Sequence, residues 1–155
     1  MAEPFGDPVC RQIVDFLLSI GIRVVATEVT GPTILPGIRI SGGTLLVDEA
    51  RLEWPGDLLH EAAHIALTAA GQRSALNDDT GGDGGQEIGS LAWSWAAVCH
   101  LGIDPEIVFH SGGYRGGSQA IIENFRGGHY IGVPFLRWTG LASSNYPRMV
   151  KWLRD

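Results

Sequence analysis

At 155 residues, with 45% hydrophobic and 18% charged side chains, the chain is sized and composed for one soluble domain over 1–155 with a core of its own. It carries 11 basic and 17 acidic side chains, a net charge of −6, and Lys151 is its only lysine, which argues against a phosphate-backbone surface and a nucleic-acid partner. No run is long and apolar enough to suggest a membrane partner. "MAEPFGDPVC" lacks the order of a signal peptide, and Cys10 and Cys99 make no disulfide framework, so a cytoplasmic setting is expected.

In "CRQIVDFLLSIG", 10–21, Ile13, Val14, Leu17 and Leu18 recur at helical spacing, and Gly21 is placed to end the helix. "IRVVATEV", 22–29, turns to β-branched residues and predicts a strand. Within "PGIRISGGTLLVDE", short strands at 38–41 and 44–48 flank Gly42–Gly43, a hairpin signal. A second helix is expected over "WPGDLLHEAAHIALTAAG", 54–71, with Asp57 as its N-cap and Gly71 at its close. The polar stretch 72–85 predicts a loop, and "QEIGSLAWSWAAVCHLG", 86–102, a third helix. Next come "DPEIVF", the glycine-rich "HSGGYRGG" at 110–117, and a fourth helix, "SQAIIENF", at 118–125. The closing "YPRMVKWLRD" is expected to form one or two amphipathic turns. The fold class is α+β, with a small, about three-stranded sheet packed with helices.

"HEAAH", 60–64, carries the chemistry. On a helix, positions i and i+4 share a face, so His60 and His64 present two imidazoles at the separation one Zn²⁺ ion needs. Glu61 is rotated about 100° from His60, beside the ion, where it can act as general base toward a water the ion polarises. The competing reading is a coincidental histidine pair with a solvated glutamate. The apolar opposite face, Leu59, Ala63, Ala66 and Ala70, favours a buried helix with a polar seam.

A catalytic zinc wants a third protein ligand. Candidates downstream are Asp78, Asp79, Asp83, Glu87, His100, His110, Glu123 and His129. Glu87 is the choice. It opens the next helix after a loop long enough to bring that helix back antiparallel, although a glutamate in a first turn also suits the helix dipole. The spacing HExxHxxGxxH is absent, because "IALTAAGQRS" follows His64. "NDDTGGDGG" reads as a solvated turn.

Together, the N-terminal helix, the small sheet with the strand "TLLVDEA", the HEAAH helix and the helix "EIGSLAWSWAA" resemble a minimal gluzincin. The nearest group is the ImmA/IrrE-like metallopeptidases, bacterial proteins implicated in cleaving repressors. The resemblance spans about residues 10–105 and is most specific at "HEAAH". It implies a minimal zincin core, zinc at His60, His64 and Glu87, Glu61 as base, and a protein or peptide substrate. The chain departs from the group where "FA..LLMP" usually ends the glutamate helix and "SWAAVCHLGIDP" stands instead.

Peptide hydrolysis also calls for a donor to the oxyanion. His110, Tyr114, Arg115, His129 and Tyr130 lie in the glycine-rich second half, with Tyr114 and His129 the preferred catalytic candidates. "SGGYRGGS" lacks the ending of a phosphate loop. Cys99 is expected to be buried and inert, and Trp93, Trp95, Trp138 and Trp152 to be core or interface mass. Two other functions compete: a catalytically inactive zincin-fold binding module, and metal-assisted hydrolysis of a non-peptide amide.

Overall fold

The computed structural model describes residues 5–78 and 84–155. Its elements, in order, are α1 (Pro8–Ser19), β1 (Val24–Ala26), β2 (Ile38–Ser41), β3 (Thr44–Val47), α2 (Asp57–Leu67), α3 (Gly84–Leu101), α4 (Ser118–Arg126) and α5 (Val133–Trp138). Short 3₁₀ turns fill Ala70–Ala75, Pro105–Ile107 and Tyr114–Gly116. The class is α+β, as the sequence pattern predicts.

α1 begins two residues earlier than its apolar spacing suggests. Asp7 accepts from the Cys10 N–H at 2.8 Å, and Pro8 takes the first helical position, where a missing N–H costs nothing. Ile13, Val14 and Leu17 point into the core. At the other end the Ile22 N–H returns to the Leu17 carbonyl at 2.9 Å, closing the helix at Gly21 as expected.

The sheet has the order β1-β3-β2. β3 pairs antiparallel with β2 across the Gly42–Gly43 turn, both glycines at positive φ, and parallel with β1 on its other side. The register sets Ile38 against Val47 and Ile40 against Leu45, so these four buried side chains share one face. Strand β1 is shorter than the β-branched run 22–29 because only three of its residues find partners in β3.

α2 is buried nearly all round: Leu58, Leu59, Ala62, Ala63, Ala66 and Leu67 are fully enclosed, and so are Glu61 and His64. It differs from expectation at both ends. Gly56, already at φ −65°, is the N-cap, and Asp57 is the first helical residue, its carboxylate turned to His110. Gly56 is fixed by its surroundings, because a Cβ there would lie 2.0 Å from the Ile107 carbonyl oxygen. The helix stops at Leu67 rather than Gly71: the Thr68 hydroxyl bonds back to the His64 carbonyl at 2.7 Å and the chain enters a 3₁₀ turn. The orphan carbonyls are taken by the C-terminal segment, Arg154 N–H on Ala66 at 2.9 Å and Arg154 Nη1 on Leu67 at 3.2 Å.

α3 packs on α2, and Ala92, Trp93, Ala96 and Ala97 are fully buried within it, Trp93 against Phe16 of α1 and Trp152. Its first turn lies at the end of α2, where Gln86 Nε2 stands 3.4 Å from Thr68 Oγ1. α5 was not foreseen; Phe135 packs over Gly89 of α3. "YPRMVKWLRD" forms turns and bends instead of a helix, since its polar backbone and indoles are spent elsewhere: the Trp152 carbonyl accepts from Trp93 Nε1 at 3.0 Å. Trp93 and Trp95 are core, whereas Trp138 is 73% exposed.

The cysteines reverse one expectation. Cys10 is buried and Cys99 exposed, because Cys99 falls on the face of α3 turned from α2. Burial, aided by Glu49 and Asp7, pushes the Cys10 thiol up to about 12. The thiolate is the reactive form. A maleimide at neutral pH should therefore modify one thiol per native chain, Cys99, and reach Cys10 only after denaturation, as peptide mapping will show.

Candidate metal centre

The helix spacing delivers what it implies. His60, Glu61 and His64 hold ligand-capable atoms within 4.8 Å of one another. The two imidazole centroids are 5.3 Å apart with planes at 74°. Burial, with His64 and then His110 nearby, lowers His60 to about 4. Burial also lowers His64, against the pull of Glu87. Both rings are therefore neutral near pH 7, with a lone pair to offer.

Glu87 stands at the edge of this cluster, Oε1 4.0 Å from His64 Nε2, with its side chain 55% exposed. The turn that begins α3 carries it there, against the end of α2. Glu61 is enclosed instead: burial, followed by the charges of Asp78, Asp57 and Glu87, pushes its carboxyl up to about 7. Glu61 is thus a buried carboxyl poised to exchange a proton near neutral pH, whereas Glu87 is half in solvent.

Tyr114 joins the site from the opposite side. Its hydroxyl lies 3.0 Å from His60 Nδ1, leaving Nε2 as that ring's remaining ligand atom. Burial, with Asp57 and Glu61 nearby, raises the phenol above its ordinary range, so it is protonated. Tyr114 and Arg115 are the two non-glycine residues with positive φ among those described, at 58° and 53°, a backbone state held only where surroundings enforce it. The Tyr114 hydroxyl, expected to face an oxyanion, lies here against an imidazole of the helix.

The loop reaches the helix because Gly112 lies flat on Trp54, where a Cβ would stand 2.9 Å from the indole. Trp54 in turn stacks on His110, centroids 4.1 Å apart and planes at 5°. His110 Nε2 meets Asp57 Oδ1 at 2.7 Å, both side chains buried. Burial raises the Asp57 carboxyl, and the hydrogen bond to His110 opposes that shift. Motif reading missed this pair. Its signal was faint: Asp57 precedes His60 by three positions, one helical turn, and was read as a cap.

The other candidates go elsewhere. Asp78 accepts from the Ile40 N–H at 2.7 Å and from Arg39 Nε at 3.3 Å, clipping the chain to β2. His100 packs between Phe16 and Trp152, with centroids at 5.3 and 5.5 Å. Glu123 is exposed on α4, and Asp79 and Asp83 lie outside the described residues. His129 is exposed in the turn after α4, and among the described residues no contact joins it to the imidazole pair; the turn at Gly127–Gly128 carries it outward.

No helix among the described residues is long and apolar enough to cross a membrane. Compared with known proteins, the chain matches no family model, no curated protein and no solved structure.

Because Asp78 serves β2, Asp78→Ala should lower unfolding stability by about 1–3 kcal/mol, the range for a hydrogen-bonded carboxylate, as urea denaturation will measure. The thermal spectrum of the helices at low denaturant should be unchanged.

Proposed function

We propose that the chain is a zinc-dependent hydrolase, a metallopeptidase of gluzincin type that acts on a protein or peptide. One observation carries the reading: two neutral imidazoles, that of His64 buried and that of His60 partly so, and the buried carboxyl of Glu61 share a 4.8 Å neighbourhood, with a second carboxylate 4.0 Å from one imidazole.

The donor set fits zinc. Two nitrogens and a carboxylate oxygen are the ligands of a His₂Glu site, and donors about 2 Å from a tetrahedral ion are about 3.3 Å from each other. Turning the half-exposed Glu87 side chain closes the remaining gap. The ion would be held by His60, His64 and Glu87; when bound, it supplies Lewis acidity to a carbonyl and acidifies the attacking water. Glu61, held in place by the helix, takes the proton of that water and passes it to the leaving nitrogen. Tyr114 acts as a positioning residue: with Nδ1 of His60 bonded to its hydroxyl, the ring is fixed with Nε2 toward the ion. The first turn of α3 against the last turn of α2 supports the antiparallel pair of a zincin core. Two unpaired, distant cysteines support a cytoplasmic setting.

Glu61 and Glu87 compete for the role of third ligand, and two variants separate them. Glu61→Gln should keep one zinc per chain by elemental analysis while hydrolysis of a peptide library falls by about 10²–10⁴. Glu87→Gln should lose zinc. Loss of zinc in the first variant and its retention in the second would reverse the assignment. Tyr114→Phe should weaken zinc binding by about 10–100-fold in competition with a chelator, the usual cost of a lost partner to a ligating imidazole.

A further inference from the structure

A cavity of about 340 Å³ opens beside His60, between the HEAAH helix and the glycine-rich loop. Its lining is apolar at Ile34, Leu35, Pro36 and Trp54. It also carries Glu53, Asp57, His60, His110 and Tyr114, and no lysine or arginine lines it. Two of these groups are incompletely answered. Asp57 and His110 are 4% and 6% exposed, and among the described residues Asp57 Oδ2 and His110 Nδ1 have no hydrogen-bond partner. Leaving a buried polar atom without a partner is costly, so such atoms point to something the site receives.

The kind of group follows from donor and acceptor roles. His110 Nε2 lies 2.7 Å from the Asp57 carboxylate, which only accepts, so Nε2 carries the proton. In the neutral ring Nδ1 is then an acceptor. Asp57 Oδ2 is an acceptor, and Glu53 adds two more at the mouth. The side-chain donors in the lining are the Tyr114 hydroxyl, already engaged with His60 Nδ1, and the Trp54 indole N–H; the three acceptor groups outnumber them and ask for a ligand rich in N–H. An apolar wall with an indole asks for a stem and a flat cation that packs on a ring. A guanidinium has five N–H donors in one plane and meets both demands; an ammonium on a similar stem lacks the plane.

We propose that this cavity receives an arginine side chain of the substrate, with its stem along Leu35, Pro36 and Trp54 and its guanidinium at Glu53 and Asp57. As a specificity site next to His60, it rests on the hydrolase reading, and it would select a peptide with arginine close to the bond attacked.

The test is calorimetric titration of the zinc-loaded Glu61→Gln protein with three capped tripeptides, alanine on each side of a central arginine, citrulline or norleucine. Citrulline keeps the shape and loses the charge, and norleucine keeps only the stem. The arginine peptide should bind at least about tenfold tighter than either, the ratio expected of one charge-assisted hydrogen bond. Glu53→Gln, at an exposed position that tolerates the change, should reduce that preference by threefold or more, and Asp57→Asn, where it folds, should remove it. No saturable binding of the arginine peptide, equal binding of the three, or an undiminished preference in Glu53→Gln would overturn the proposal. Offering the same peptides to the wild-type protein keeps the two readings apart. Cleavage without arginine preference sinks the cavity alone, whereas arginine-selective binding without any cleavage sinks the hydrolase alone.

Discussion

The organising constraint of this molecule is that its second helix is buried along nearly its whole length, only His60 being partly exposed, while carrying two imidazoles and a carboxylate. An ionised group taken out of water costs several kcal/mol unless something answers it. The protein meets that cost partly by shifting the groups toward their neutral forms: His60 is lowered to about 4 and Glu61 raised to about 7. It meets the rest by bringing polar partners from distant parts of the chain. Tyr114 reaches His60 across 54 positions, and His110 reaches Asp57 across 53. Much of the loop architecture is explained by these two contacts. Within 110–117, Gly112 lets the backbone lie against Trp54 and Gly113 lets it pass close to the His110 ring, and the chain is left-handed at Tyr114, where the phenol meets the helix.

The ends of the helix follow the same logic. Its C-terminal carbonyls face away from the polar groups and find the Arg154 backbone and guanidinium, so the last residues of the chain cover the last turn. Arg73 adds a bond to the Arg154 carbonyl, joining the 3₁₀ turn after the helix to the same segment. At the N-terminal end, Asp57 sits where the helix dipole favours an anion and is held there by His110. The helix is thereby fixed along its axis, a condition for two side chains on it to keep a common ligand distance.

What the sequence made legible is what local periodicity encodes. The i,i+4 spacing of His60 and His64 gave their shared face, the Gly42–Gly43 pair gave the hairpin and its register, and the apolar spacing in 13–18 gave the first helix. Glu87 was legible too as a first-turn residue, and it arrives within reach of His64. Interactions that close long loops were not. Asp57 looks like an N-cap because acidic residues before a helix usually are; only the fold brings His110 to it. Asp78 belongs to a stretch rich in ligand types, yet its carboxylate is spent on the backbone of β2. Tyr114 stands out in the glycine-rich loop, but its contact with His60 does not, since sequence carries no information on which side of an imidazole a remote hydroxyl will lie. Cys99 was misjudged because α3 looks apolar throughout, and which face is covered depends on where α2 and α5 pack.

The proposed metal centre draws three of its groups from five consecutive residues, so only Glu87 and Tyr114 must be delivered by tertiary structure. The saving frees the glycine-rich loop to do something else, and it borders a cavity beside His60 with unanswered acceptors in its wall. Asp57 belongs to both structures: it is the first residue of the helix that bears the imidazoles and part of the wall that a substrate side chain would meet. Occupying that wall neutralises a buried carboxylate one helical turn from His60, so the energy of recognising a side chain is felt where the reaction would take place. Binding energy gained at a remote group and expressed at the reacting one is how a small site acquires selectivity without a long cleft.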